Sequence, residues 1–169
     1  TFSYPRIQRY RPPQEKPGES TGRKAEKMVL KQEIISERLK EMDTVLEELS
    51  LYRDKSPEDL KASLSMRWTV ERGLIALANL VFDAADHILS GHFGVYSDTY
   101  EDTLQQLRDK GVVSQSLYQK IKGLGGLRNI LVHDYLKVDL TELQRNLLKA
   151  FEVFPAFSSE IQQWLKTVA

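Results

Sequence analysis

The chain has 169 residues, enough for one domain with a buried core and an additional segment. It contains no cysteine, which excludes disulfides and thiolate metal sites and favours the cell interior. No apolar run approaches the roughly 20 residues of a membrane span and no signal-peptide pattern opens the chain, so a cytoplasmic protein without membrane contact is expected. Its 24 basic and 24 acidic side chains cancel, but residues 1–24 hold six of the bases and two of the acids, leaving 18 bases against 22 acids elsewhere. A general basic footprint for nucleic acid is therefore excluded, and any RNA contact must be local or use the N-terminal segment.

Residues 1–25 carry Pro5, Pro12, Pro13, Pro17, Gly18 and Gly22 and little apolar periodicity, which predicts an extended or disordered basic arm outside the domain at 26–169. Phe2, Tyr4 and Tyr10 interleave with its arginines, a composition suited to stacking on bases or docking on a partner, or simply to a solvated tail or a crossover onto a sister subunit. From residue 26 the pattern is helical. Met28, Ile35, Met42 and Leu49 recur every seven residues, with Leu39 and Leu46 on the same face, predicting one amphipathic helix over 26–53. Ser56-Pro57-Glu58-Asp59 then combines a cap, a proline at the first helical position and early acids. This predicts a second long helix over 57–89, with Leu60, Leu64, Trp68, Leu74, Leu77, Val81 and Ile88 available for burial and Gly91 and Gly94 ending it.

Two shorter helices are expected at 98–109 and 114–123, Gly111 ending the first and Ser114 capping the second. Gly125-Gly126 reads as a turn before a helix at 127–136. Asp139 followed by Glu142 resembles a capping box that opens a last helix to about 166, kinked or divided at Pro155. No run alternates apolar and polar residues in the manner of a strand. The expected fold is all-α, a bundle of long antiparallel helices with shorter helices packed on it.

The segment Arg128-Asn129-Ile130-Leu131-Val132-His133-Asp134-Tyr135 concentrates the chemistry. Arginine is permanently charged and matches phosphate oxygens with a fork of donors, and histidine accepts or gives a proton near neutral pH. Together they suffice to break a phosphodiester without a metal. On a regular helix Arg128 and Tyr135 are about 700° apart and share a face, whereas Arg128 and His133 are about 500° apart and do not. Either an irregular start after Gly125-Gly126 or a symmetric dimer presenting two copies across one cleft would bring them to one phosphate. An isolated Arg and His near a helix start more often make ordinary caps or ion pairs. His87 and His92, five residues apart across a glycine, carry no zinc-type spacing and read as a helix and a loop residue, structural or solvated. No metal or cofactor is implied.

The string Arg128-Asn129-Ile130-Leu131-Val132-His133-Asp134-Tyr135 resembles the Arg-x4-His-x-Tyr motif of HepT-like toxins in the HEPN ribonuclease superfamily. Val70-Glu71-Arg72, Asp83-Ala84-Ala85-Asp86-His87-Ile88, Gly125-Gly126-Leu127 and Leu136-Lys137-Val138-Asp139 extend the resemblance over residues 26–168. It implies an HEPN-like helical bundle acting as a homodimeric, metal-independent endoribonuclease, the toxin of a type II/VII-like toxin–antitoxin pair cleaving tRNA or mRNA. In that reading Arg128 binds the scissile phosphate, His133 is the general acid or base, and Asn129 positions the phosphate or the histidine. The resemblance further implies an antitoxin partner, a minimal (MntA-like) nucleotidyltransferase that silences the toxin by adding AMP to Tyr135. Asp83 and Asp86, three apart on one helix face, are supporting candidates that contact the arginine or the partner, or make ordinary salt bridges with Arg67 or Arg72. The chain itself shows no nucleotidyltransferase signature. The alternative reading is a non-catalytic all-α interaction module that uses Tyr135 or the arm for docking.

Overall fold

The computed structural model describes Phe2 and residues 29–169, and among these the secondary structure is entirely helical. The succession is α1 (Gln32–Ser50), α2 (Pro57–Ala62), α3 (Leu64–Ile88), α4 (Tyr100–Asp109), α5 (Gln115–Ile121), α6 (Leu124–His133) and α7 (Leu140–Val168). A π-helical turn (Leu89–Phe93) extends α3, and a 3₁₀ turn (Tyr135–Lys137) follows α6. The all-α bundle expected from the sequence is what forms.

Helix α1 buries Ile35, Leu39, Met42, Leu46 and Leu49, the heptad face read from the sequence, and lays it on α3. Met28, the first member of that repeat, lies outside the described residues, as does the rest of the expected arm apart from Phe2. The helix starts later than the periodicity suggests. Val29 and Leu30 are non-helical, and the Lys31 backbone N–H donates to His87 Nε2 at 3.0 Å, which anchors the entry to α1 on the far end of α3.

Helix α2 starts as predicted. The Ser56 hydroxyl accepts from the Asp59 N–H, the Asp59 carboxylate accepts from the Ser56 N–H, and Pro57 occupies the first turn. These bonds favour the ionised form and hold the Asp59 carboxyl below its ordinary value. The single helix expected over 57–89 is instead two. Ser63 is extended (φ −125°, ψ 102°), closing α2 through its N–H to Asp59 and capping α3 through its hydroxyl, which accepts from the Met66 N–H. A serine that can serve both ends makes the break locally favourable.

Helix α3 is the axis of the bundle, packing against α1, α2, α4, α6 and α7. Of the residues expected to be buried, Leu60, Leu74, Leu77, Val81 and Ile88 are, but Leu64 and Trp68 in the first turns of α3 stand 53% and 59% exposed. The stretch Leu64–Phe93 is, among the described residues, long and apolar enough to cross a membrane, contrary to the sequence reading. Most of its apolar window is buried by neighbouring helices, so the core accounts for its hydropathy.

Helix α7 opens on Asp139, whose Oδ1 accepts from the N–H groups of Thr141 and Glu142 at 2.8 and 3.0 Å. The Glu142 side chain turns to Arg145 instead of closing the box. Pro155 does not divide the helix. It is exposed on the outer face of the helix. Phe2 is the largest departure from the sequence reading. Expected in an exposed arm, it is 3% exposed and packs in the core with its ring 6.1 Å from that of Phe154 on α7.

Candidate active site

The site is built on α6, whose first turn is held from several sides. Gly123 precedes it in a left-handed conformation (φ +87°), and a Cβ there would lie 2.3 Å from the Phe2 carbonyl oxygen. Only glycine meets both demands. The Gly123 N–H donates to Glu101 Oε2 at 3.4 Å, and Glu101 Oε1 accepts from the Tyr118 hydroxyl at 3.0 Å. Burial pushes the Tyr118 phenol up, a hydrogen bond with Gln105 opposes this, and the Glu101 carboxylate adds to the rise. Glu101 thereby ties α4, α5 and the start of α6 together.

Its neighbour Tyr100 supports the next turn. A Cβ on Gly125 would meet the Tyr100 Cβ at 2.4 Å, so the two backbones approach only because residue 125 has no side chain. The Tyr100 ring stacks on Phe82 of α3, centroids 4.3 Å apart. Gly125-Gly126, read from the sequence as a turn, is therefore inside the helix, and the irregular start that would have aligned Arg128 with His133 does not exist.

Arg128 is half-buried on this support. Its Nε donates to Asn79 Oδ1 of α3 at 3.2 Å and Nη1 donates to Asn129 Oδ1 at 3.3 Å. Its guanidinium carbon lies 5.7 Å from the centroid of the Tyr100 ring. Both hydrogen-bond acceptors are uncharged, and among the described residues Arg128 has no carboxylate partner. A guanidinium fixed in this way can bind an anion at once, with no resident acid to displace.

The rest of the motif is arranged differently. Asn129 is brought to Arg128, and on the regular helix it lies one turn before His133, on His133's side. His133 is exposed and is the last residue of α6. Its separation of about 140° around the helix from Arg128 stands. The helix then breaks at Asp134 (φ −117°, ψ 37°), and Tyr135 begins the 3₁₀ turn. The shared face expected for Arg128 and Tyr135 presupposed a helix to 136, so that geometric link is withdrawn.

Asp83 and Asp86 are not brought to Arg128. Asp83 faces Arg38 of α1 at 3.7 Å, an exposed pair, and Asp86 accepts from the Thr103 hydroxyl of α4 at 3.5 Å. Arg67, offered from the sequence as their partner, pairs with Glu71 at 2.7 Å. Desolvation raises the Asp86 carboxyl above its ordinary value, the Asp83 charge adds to this, and Thr103 opposes it. His87 accepts from the backbone of Lys31, and His92 packs edge-on against Phe93 and Trp164, so both have structural contacts.

The sequence reading missed Asn79, Tyr100 and Glu101. Asn79 left a faint signal, standing four and seven residues before Asp83 and Asp86 on one face of α3. Tyr100 and Glu101 left none, because their role is set by contacts across the fold.

A family model described as "Ribonuclease HepT-like" matches residues 31–161. The chain belongs to this family. Arg128 and His133 both lie within the matched span. The chain is 27% identical over 135 residues to a tRNA nuclease HepT of Aphanizomenon flos-aquae (strain 2012/KM1/D3), covering 80% of this chain and 92% of the relative. The fold is similar to that of YutE of Bacillus subtilis, a cytosolic protein of unknown function, with TM-score 0.71, 21% identity and coverage of 83% and 94% of the two chains. It is equally similar to a chain in a crystal structure of a toxin–antitoxin with AMP-PNP, with TM-score 0.71, 23% identity and coverage of 78% and 98%.

Proposed function

We propose that this protein is the toxin of a toxin–antitoxin pair, a metal-independent endoribonuclease that cleaves tRNA, or mRNA, in the cytoplasm through Arg128 and His133. The observation that carries this is the half-buried Arg128 guanidinium, fixed by neutral acceptors on a helix that also bears His133. Family membership and the relative described as a tRNA nuclease support the same reading. The reaction is an internal phosphoryl transfer. The ribose 2′-oxygen loses its proton to a histidine and bonds to phosphorus, and the P–O5′ bond breaks. The leaving oxygen takes a proton, giving a 2′,3′-cyclic phosphate and a free 5′-hydroxyl. Arg128 stabilises the charge that grows on the phosphoryl oxygens. His133 serves as base or acid.

Because one regular helix points Arg128 and His133 apart, the working unit is a homodimer in which two copies of α6 face one cleft. Exposed Leu64, Trp68, Val132 and Leu136 support such pairing, being large apolar side chains on α3, on α6 and just beyond it. Neutralisation falls to a nucleotidyltransferase antitoxin that joins the α-phosphorus of ATP to the Tyr135 phenol oxygen and releases pyrophosphate. The added bulk and negative charge, two residues from His133, would repel the RNA backbone and block its access to that residue.

Expression of the chain without a partner is expected to arrest growth. In a purified assay on total tRNA, Arg128→Ala and His133→Ala should each lose at least about 10²-fold in activity with unchanged melting temperature. Full activity in both variants overturns the assignment. Intact-mass analysis after co-expression with the antitoxin should show adenylate-sized additions that vanish in Tyr135→Phe. Additions that persist in that variant would place the acceptor elsewhere.

A further inference from the structure

Resting on the phosphate-binding role proposed for Arg128, we infer that Asn79 is the positioning residue of the site: its neutral side-chain oxygen orients the guanidinium without drawing on the charge meant for RNA. The bond spans two helices, from Arg128 Nε on α6 to Asn79 Oδ1 on α3 at 3.2 Å. Nε is the guanidinium nitrogen attached to the aliphatic stem. Bonding it to a fixed acceptor sets the rotation of the guanidinium plane and with it the positions of both Nη groups. Asn129 takes Nη1 at 3.3 Å, and Nη2 makes no hydrogen bond among the described residues. The Tyr100 ring limits movement on one side and is itself held by Phe82 and the close approach of Gly125.

The chemistry of the α3 face makes the choice of asparagine informative. Asn79, Asp83 and Asp86 follow one another at spacings of four and three, so α3 presents one amide and two carboxylates along one stripe. The carboxylates are engaged elsewhere, Asp83 with Arg38 and Asp86 with Thr103, and the arginine sits at the amide. An aspartate at 79 would keep an acceptor for Nε but would add a charge–charge bond that competes with phosphate. An alanine would leave the orientation of the plane to chance, and small misplacements of a group that contacts the transition state have large kinetic effects.

The two substitutions therefore separate orientation from charge. Full-length Asn79→Ala, Asn79→Asp and Arg128→Ala are compared with the parent protein by steady-state cleavage of total tRNA at several salt concentrations and by thermal melting. Asn79→Ala is expected to lower kcat about tenfold or more with KM changed less than about twofold. Asn79→Asp should keep kcat within about threefold, raise KM, and flatten its salt dependence by about one phosphate contact. The Arg128 Nε–H resonance should lose its dispersion in Asn79→Ala and keep it in Asn79→Asp. Parent-like kcat and KM in Asn79→Ala, with Arg128→Ala inactive, would overturn the positioning role and leave Arg128 in place. Full activity in Arg128→Ala would instead overturn the phosphate-binding role. If Asn79→Ala fails to fold, Asn79→Asp decides alone: a parent-like KM and salt dependence there would overturn the neutral-acceptor role.

Discussion

The two ends of α6 are held in opposite ways. At the N-terminal end Phe2, Glu101, Tyr118, Tyr100, Phe82 and Asn79 converge from four other parts of the chain on the few residues between Gly123 and Arg128. At the C-terminal end His133 is exposed, the helix breaks at Asp134, and Leu136 stands 87% exposed beside an outward Lys137–Asp134 pair at 3.7 Å. The residue proposed to bind a fixed charge thus sits where the backbone is over-determined. His133, proposed to move a proton, is exposed at the point where the helix ends. A phosphate clamp works by pre-organisation.

The largest effect that would break this contrast is at Gly125. Gly125→Ala forces a methyl against the Tyr100 Cβ and should destabilise by about 1–3 kcal/mol while lowering activity, because it shifts the support under Arg128. The matching change at the loose end, Leu136→Ser, should stay within about 0.5 kcal/mol. Chemical denaturation checks both, and equal losses at the two positions would remove the asymmetry. Next in size, Gly126→Ala should stabilise by about 0.5–1 kcal/mol, since Gly126 is helical, exposed and has open space where its Cβ would go. A loss of stability there would mean that Gly126 is covered in the working assembly.

The smallest expected effect concerns Asp86, which braces α4 and hence Tyr100. Its carboxyl is raised, so the folded state resists its ionisation, and its contribution to stability falls as pH climbs from the ordinary aspartate value to the raised one. Asp86→Asn should therefore raise the melting temperature by about 1–2 °C at neutral pH. The gain should disappear at pH below the ordinary aspartate value. A gain independent of pH would assign the effect to packing rather than to charge.

What was legible in the sequence was local. The Ser56-Pro57 start, the Ser114 cap and the Asp139 cap are bonds between near neighbours, and each formed where expected. The heptad face of α1 was legible because its spacing alone decides which side is buried. Of the residues singled out in the segment 128–135, Arg128 and Asn129 do meet. The failures share one cause. Gly125-Gly126 has the composition of a turn, but a tyrosine 25 residues earlier in the chain packs over Gly125 within the helix. Trp68 looks like core by type yet lies on a face that the described chain leaves open. Asn79 meets Arg128 across 49 residues, and no spacing rule reports such a contact.

The placement of α3 has a consequence for how the chain emerges during synthesis. This long apolar helix follows α1 and α2 and precedes the other described helices that cover it. The sides later taken by α4, α6 and α7 stay open to water until those helices have been made. A nascent chain with such a helix uncovered invites chaperone capture or self-association. The Arg128–Asn79 bond can close only after α6 has been made and docked on α3. The fixed guanidinium is therefore a product of tertiary docking and cannot form on α6 alone.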